Sequence, residues 1–377
     1  MIWLALPALA AAAYYLLAIV AALKWRTRAA ARAAAMAPRA AAWTPPLSVL
    51  KPVHGRDPHF YEAIRTHAAQ AYPEFELLFG VSDPQDAALD DIARLQREFP
   101  SRRIEIVAVA TSAPNVKAGV LQELALRARH ELLLVNDSDI VAPPGYFETV
   151  VAPLRDRSVG LVTCLYRGHS ESWASHFEAL GIATEFAPSV LVARLLGQAE
   201  FALGSTMVFR AADLGRIGGF EALADYLADD YQLGCRIRRL GYRIEFAPVV
   251  VETVLGAGSW RHTWRHQLRW SRTIRISRPG GYYGYAVTHA TVWALVACAA
   301  GQWWAGALAL GIRMVAGVLA GAWILEDRGV LRRFWLIPLR DLLGFALWAA
   351  GAFGNRVQWR GRTLRLAPGG VIRKPGA

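Results

Sequence analysis

Beyond the Pro45-Pro46 pair, short apolar runs alternate with longer polar stretches whose apolar positions recur at helical spacing. Leu47–Val53, Phe75–Asp83, Ile104–Ala110 and the ELLLVND run that ends on Asp137 are predicted strands. Tyr61–Gln70, Asp86–Phe99 and Lys117–Arg129 are predicted helices. This alternation predicts an α/β domain, a mostly parallel sheet with helices on both faces. Ligands of such sheets bind beyond the carboxyl ends of the strands. Asp83, Asp137 and Asp139 all fall at such ends.

Outside this region the pattern changes. Ile2 to Leu23 carry no charge and are long enough to cross a hydrocarbon core as a helix. A cleaved signal peptide is the alternative, but no basic residue precedes the run beyond the start amine, so a retained anchor is expected. Trp173 to Leu203 is apolar and helical, GSTMVFR (204–210) is a further strand candidate, and LADDYQLGCRIRRLG (227–241) is helix-like. Ser259 to Arg278 predicts an aromatic, basic helix with Trp260, Trp264 and Leu268 on one stripe, the pattern of a helix lying in a lipid interface. Apolar blocks follow at about 286–305, 306–325 and 334–353. The last contains Arg340 and Asp341, costly at mid-bilayer, so a hairpin plus one interfacial segment is expected.

Charge sharpens this division. The chain has 377 residues and a net charge of +12. Lys24, Arg26, Arg28, Arg32 and Arg39 follow the first apolar span without an acid among them, and Arg356, Arg360, Arg362, Arg365, Arg373 and Lys374 occupy an acid-free C-terminal segment. Those eleven charges leave only +1 for everything else, so the excess flanks membrane segments, as the positive-inside rule expects. Nucleic-acid binding is thereby disfavoured. Cys164, Cys235 and Cys298 are scattered with no metal-binding spacing, consistent with reduced, buried thiols.

The candidate chemistry centres on the Asp137-Ser138-Asp139 strand end. Two carboxylates one residue apart are best neutralised by a divalent cation, and Mg²⁺ or Mn²⁺ leaves positions free for substrate phosphates. Asp83 suits a base imide or ribose, or else caps the segment after Pro84. Lys117 opens a helix, where ammonium and free backbone amides together face an anion. Asp229 and Asp230 lie at or before a helix start. Arg269 and Trp270 are what the interfacial helix leaves unexplained.

VLKPVHGRDP, FELLFGVSD, NVKAG, the D-x-D strand end, ADDY and HQLRW occur in order with sensible spacing, and QWRGRTLRL closes the chain. Together these motifs resemble the membrane glycosyltransferases related to ceramide glucosyltransferase, over nearly the whole chain. The resemblance implies a GT-A-like nucleotide-sugar-binding domain. It implies nucleotide contacts from Lys51, Asp83, Lys117 and Asp137, a metal on Asp137 and Asp139, and Asp230 as general base. Arg269 and Trp270 would close the (Q/R)xxRW motif. This sequence departs at its first position, which is His266, with Gln267 one place later.

The implied reaction moves one sugar from a UDP-sugar, UDP-N-acetylglucosamine or UDP-glucose, to a lipid hydroxyl with inversion. The Ala/Arg-rich composition looks bacterial, which favours a hopanoid such as bacteriohopanetetrol over ceramide as acceptor. Trp173–Leu203 and the Trp260 helix would admit the lipid. A processive polysaccharide synthase and a non-enzymatic transporter or scaffold are the rival classes. The expected layout is an anchor at 1–24, a basic linker at 25–45, a cytosolic catalytic domain at 46–258 and an interfacial helix at 259–281. Transmembrane or interfacial helices at 282–354 and a basic cytosolic tail at 355–377 complete it, in a multi-pass protein of the cell inner membrane.

Overall fold

The computed structural model describes residues 2–36 and 43–373, so Arg39 and Lys374 lie outside the described residues. The chain divides into two compact units. One comprises Arg32–Tyr166 and Glu200–Val254; the other comprises Met1–Ala31, Arg167–Ala199 and Leu255–Ala377. A single block at 46–258 was expected, but 167–199 leaves it. That stretch contains the helices Trp173–Gly181 and Ala187–Leu195, joined by a π-helical turn at Ile182–Phe186.

The first unit is built on an eight-stranded sheet. Its strands are β1 (Leu47–Val53), β2 (Phe75–Val81), β3 (Arg103–Ala108), β4 (Leu132–Val135), β5 (Ile140–Val141), β6 (Val159–His169), β7 (Met207–Arg210) and β8 (Arg243–Val254), in the order β3-β2-β1-β4-β7-β6-β8-β5. The β3-β2-β1-β4 half is parallel. Beyond it β7 runs antiparallel to β4, β6 antiparallel to β7, and β5 antiparallel to β8. The four parallel strands are those whose alternation with helices is legible in the sequence. The long strands β6 and β8 are not legible in that way, although helices flank each of them.

Every residue of β1, β2 and β4 is buried, as expected of strands covered on both faces. Leu47, Val49, Leu77, Phe79, Leu132 and Leu134 face a core shared with the helices Phe60–Ala68 and Ala88–Glu98. Leu50, Leu78, Leu133 and Val135 face the opposite core, with the helices Val116–Arg127 and Asp229–Arg239. This two-residue alternation fixes strand register, and so it fixes where Asp137 emerges.

Among its described residues the second unit holds three helices long and apolar enough to cross a membrane, at 3–29, 303–324 and 328–351. The first helix runs on to Met36, so the start of the expected basic linker is helical. The block too short to span is Ala290–Ala299, not the one carrying Arg340 and Asp341. Those two residues are tolerated because they are buried and paired. Asp341 accepts from Arg313 at 2.6 Å, and Arg340 lies 3.1 Å from Glu185. The C-terminal segment is also structured, as a three-stranded sheet of β9 (Arg356–Trp359), β10 (Arg362–Ala367) and β11 (Val371–Arg373).

Candidate active site

The parallel strands end together, and their register brings the acidic groups to one edge. β7 pairs with β4 so that Val135 faces Met207. The preceding Gly204-Ser205-Thr206 loop therefore lies beside Asn136 and Asp137. Buried Asn136 fastens this junction, donating to the Ser205 carbonyl at 2.7 Å and to the Tyr146 hydroxyl at 2.9 Å.

Asn115 caps the helix Val116–Arg127 by accepting from the Ala118 amide, and it also donates to the Tyr226 carbonyl at 2.7 Å. That double role aims Lys117 at the strand end. The Lys117 ammonium donates to Asp137 at 2.6 Å and lies 3.7 Å from Asp229. Burial opposes the Lys117 charge, but Asp137 and Asp229 outweigh it and raise its pKa. Asp230 accepts from the Gly204 amide at 3.1 Å. Burial, then the neighbouring Asp229, pushes the Asp230 carboxyl up to about 6.

Gly204 marks where these groups meet. A β-carbon placed there would lie 3.3 Å from Asp230, 3.4 Å from Asp137 and 3.7 Å from the Lys117 ammonium. Asp137, Asp230 and Lys117, three residues singled out in the sequence, thus share one point. Asp139 is held by a hydrogen bond from Thr253 on β8. Loss of solvent and then the charge of Asp137 raise the Asp139 carboxyl to about 7. This carboxylate resists ionisation unless positive charge is supplied, which fits a cation-binding role. Among the described residues no three His, Cys, Asp or Glu side chains form a ready-made cage. One or two carboxylates completed by substrate phosphates is the usual Mg²⁺ arrangement.

Other predicted residues are placed differently. Lys51 has no exposed surface; it donates to the Asp137 carbonyl at 3.2 Å from behind the turn, and burial lowers its pKa to about 7. Asp83 is exposed at the end of β2, where it accepts from the Gln85 amide at 2.9 Å. Asp86 accepts from the Ala88 amide at the first turn of the next helix. His266, Arg269 and Trp270 belong to the second unit, on the helix Trp260–Ser277. There His266 lies 2.6 Å from the buried Glu178 carboxylate and 4.6 Å, ring to ring, from Trp270. Gln267 is buried and accepts from Arg340 at 3.1 Å, so it is committed to packing. Sequence reasoning missed Asp57, which accepts from the Ser138 hydroxyl, and also Thr253 and Glu178. Only Asp57 carried a signal, its place in the VLKPVHGRDP motif.

The sequence matches the family described as Glycosyl transferase family 21 over residues 4–372. The chain belongs to that family. Similarity to ceramide glucosyltransferases, expected from the motifs, is borne out at this level. Ceramide glucosyltransferase 1 of Caenorhabditis elegans is 28% identical over 190 residues, covering 50% of this chain and 41% of the relative. A probable glycosyltransferase of Bacillus subtilis, YdaM, is 23% identical over 235 residues, covering 60% of this chain and 55% of the relative. The matches thus span about half the length of these curated relatives. In fold, this family 21 chain resembles the mannosyltransferase PcManGT of Pyrobaculum calidifontis, solved with GDP-Man and Mn²⁺. The TM-score is 0.52 at 20% identity, covering 92% of this chain and 97% of that one. The sheet is accordingly GT-A-like.

Proposed function

We propose that this family 21 protein transfers one sugar from a UDP-sugar to a hydroxyl of a membrane lipid, inverting the anomeric centre. The observation that carries the reading is the convergence of Asp137, Asp230 and Lys117 on Gly204 at the carboxyl edge of the parallel strands. Asp230 accepts the acceptor's hydroxyl proton as the acceptor oxygen bonds to the anomeric carbon and the bond to the diphosphate breaks. A carboxyl raised to about 6 is ionised at neutral pH yet basic enough for that task. Lys117 and the amides at the start of its helix stabilise the departing diphosphate. Asp137 and Asp139 are the residues to hold Mg²⁺ or Mn²⁺, which when bound offsets the charge developing on the leaving group. Lys51 and Asn136 act through the turn that presents Asp137. Asp83 contributes to the nucleoside end.

A lipid acceptor is supported within the second unit by a cavity of about 320 Å³ lined by Trp260, Arg261, Thr263, Trp264, Leu343 and Leu347. Two of these residues sit on a helix apolar enough to span a bilayer. His266, Arg269 and Trp270, which the motif resemblance makes catalytic candidates, lie on the same helix as the tryptophans. A polyhydroxylated triterpenoid such as bacteriohopanetetrol is the favoured acceptor and ceramide the alternative. The catalytic unit faces the cytoplasm from a bacterial inner membrane in this reading.

The test is incubation of the purified chain with UDP-sugars and both lipids, followed by product mass. Asp230→Asn should lower turnover by about 10²–10⁴-fold while donor binding persists. Undiminished turnover would remove Asp230 as the base.

A further inference from the structure

The C-terminal sheet carries an arrangement that transfer chemistry does not use. β9 and β10 are joined by a two-residue loop, Arg360-Gly361, both at positive φ (47° and 73°). That is the backbone of a tight hairpin turn matched to strand twist. In the resulting register Arg356 faces Arg365, and Arg365 faces Arg373. Three exposed arginines therefore stand side by side across all three strands. Directly opposed like charges destabilise a sheet, and residues 342–377 contain no acid to relieve them.

The sheet is anchored despite this repulsion. Val357, Leu366 and Ile372 are buried on its other face. Arg272, from the helix Trp260–Ser277, donates to the Phe353 carbonyl at 3.1 Å and to the Arg356 carbonyl at 2.6 Å. Arg275 of the same helix donates to the Gly351 carbonyl at 2.8 Å and to that of Gly354. The row begins at Arg356, just past the end of the candidate span 328–351. It thus follows directly on a segment apolar enough to reach a bilayer surface.

We propose that the Arg356–Arg365–Arg373 face binds the phosphate of an anionic phospholipid headgroup. Neighbouring strands lie about 4.8 Å apart, so the three arginines are rooted within roughly 10 Å of one another and their guanidiniums can reach one or two phosphates together. Guanidinium pairs with phosphate through two parallel hydrogen bonds, more specifically than ammonium does. Bound phosphate removes the like-charge repulsion that the register imposes. This inference does not depend on the transferase reading.

The test uses the full chain in a neutral detergent, titrated at low salt with short-chain phosphatidylglycerol, with short-chain phosphatidylcholine and with inorganic phosphate. Binding is read by native mass spectrometry and calorimetry. Phosphatidylglycerol should bind about tenfold tighter than phosphatidylcholine, and the preference should shrink as salt rises. R365Q should weaken phosphatidylglycerol about fivefold, and the triple change R356Q/R365Q/R373Q should abolish the preference. Thr363→Arg adds a fourth guanidinium two residues along the same face of β10 and should strengthen binding, an outcome misfolding cannot imitate. Equal phosphatidylglycerol affinity in the triple variant would overturn the proposal. So would equal binding of phosphatidylcholine, or inorganic phosphate binding as tightly as the lipid and displacing it.

Discussion

Both units bury charged side chains, but the carboxyl edge of the sheet does so in the opposite way from the membrane-type helices. In the membrane-helix unit each charge meets a counter-charge. Arg313, with no exposed surface, donates twice to Asp341, which also accepts from Thr291 at 2.8 Å. Arg340 lies against Glu185 and Gln267, and its guanidinium passes so close to Gly181 that a β-carbon there would sit 2.3 Å from it. At the carboxyl edge of the sheet unit acids are crowded against acids, although elsewhere in that unit buried carboxylates are matched, as Asp213 is with Arg210. Burial and then Asp137 raise the Asp139 carboxyl, and burial and then Asp229 raise that of Asp230, with Lys117 beside Asp137 and Asp229. Matched pairs hold helices in register. Unmatched carboxylates at a strand edge keep a standing demand for positive charge, and that makes a binding site.

The largest effect should come from breaking a matched pair. Asp341→Leu leaves Arg313 buried without its partner and should cost about 3–5 kcal/mol, seen as a collapse of detergent-solubilised thermal stability. The double change Arg313→Met with Asp341→Leu should recover most of it, since an apolar pair of similar volume replaces an ion pair at little cost. A double variant as unstable as the single would mean these charges do more than hold helices.

A smaller effect is expected from crowding the meeting point in the other unit. Gly204→Ala inserts a methyl within 3.4 Å of Asp230 and Asp137. Displacing either by a fraction of an ångström should lower kcat by about 10–100-fold with thermal stability little changed. Full activity would detach that point from the chemistry.

The smallest effect concerns pH. Between about pH 4 and 6, Lys51 stays protonated folded or unfolded, because its folded value is about 7. Asp139 and Asp230, raised to about 7 and about 6, hold protons there only in the folded state. The native chain then binds more protons than the unfolded one, so stability falls as pH rises through this window. With chelator present, the melting temperature should drop by about a few °C from pH 4.5 to 6, and by less in Asp139→Asn. If Asp139→Asn keeps the full slope, the crowding of these acids is not what penalises the site.

Much of this architecture could be read directly. Four strands and three helices of the parallel half announce themselves by alternation, because β1, β2 and β4 are covered on both faces and each helix on one. Asp137, Asp230 and Lys117 were identifiable because each sits at an element's end, where side chains leave the packing pattern. β6 and β8 were not, since Pro248 and two glutamates interrupt the apolar pattern of β8, and β6 ends in the polar, less buried Arg167-Gly168-His169. Residues 167–199 read as part of the sheet domain because local pattern carries no information about which unit an apolar helix joins. The C-terminal arginines read as a basic tail flanking a membrane segment, since three short strands become a sheet only by packing on a distant helix.

The order of apolar and polar residues determined the elements, the two kinds of unit and the acids' position at strand ends, because those follow from periodicity along one chain. Pairing across the chain decided the rest. The placement of Gly204 beside Asp137, the sequestration of Lys51 behind the turn, and the partners of Arg313 and Arg340 depend on residues dozens of positions apart. Such contacts form only when strand register and helix packing bring separate segments together, and no local pattern encodes that distance.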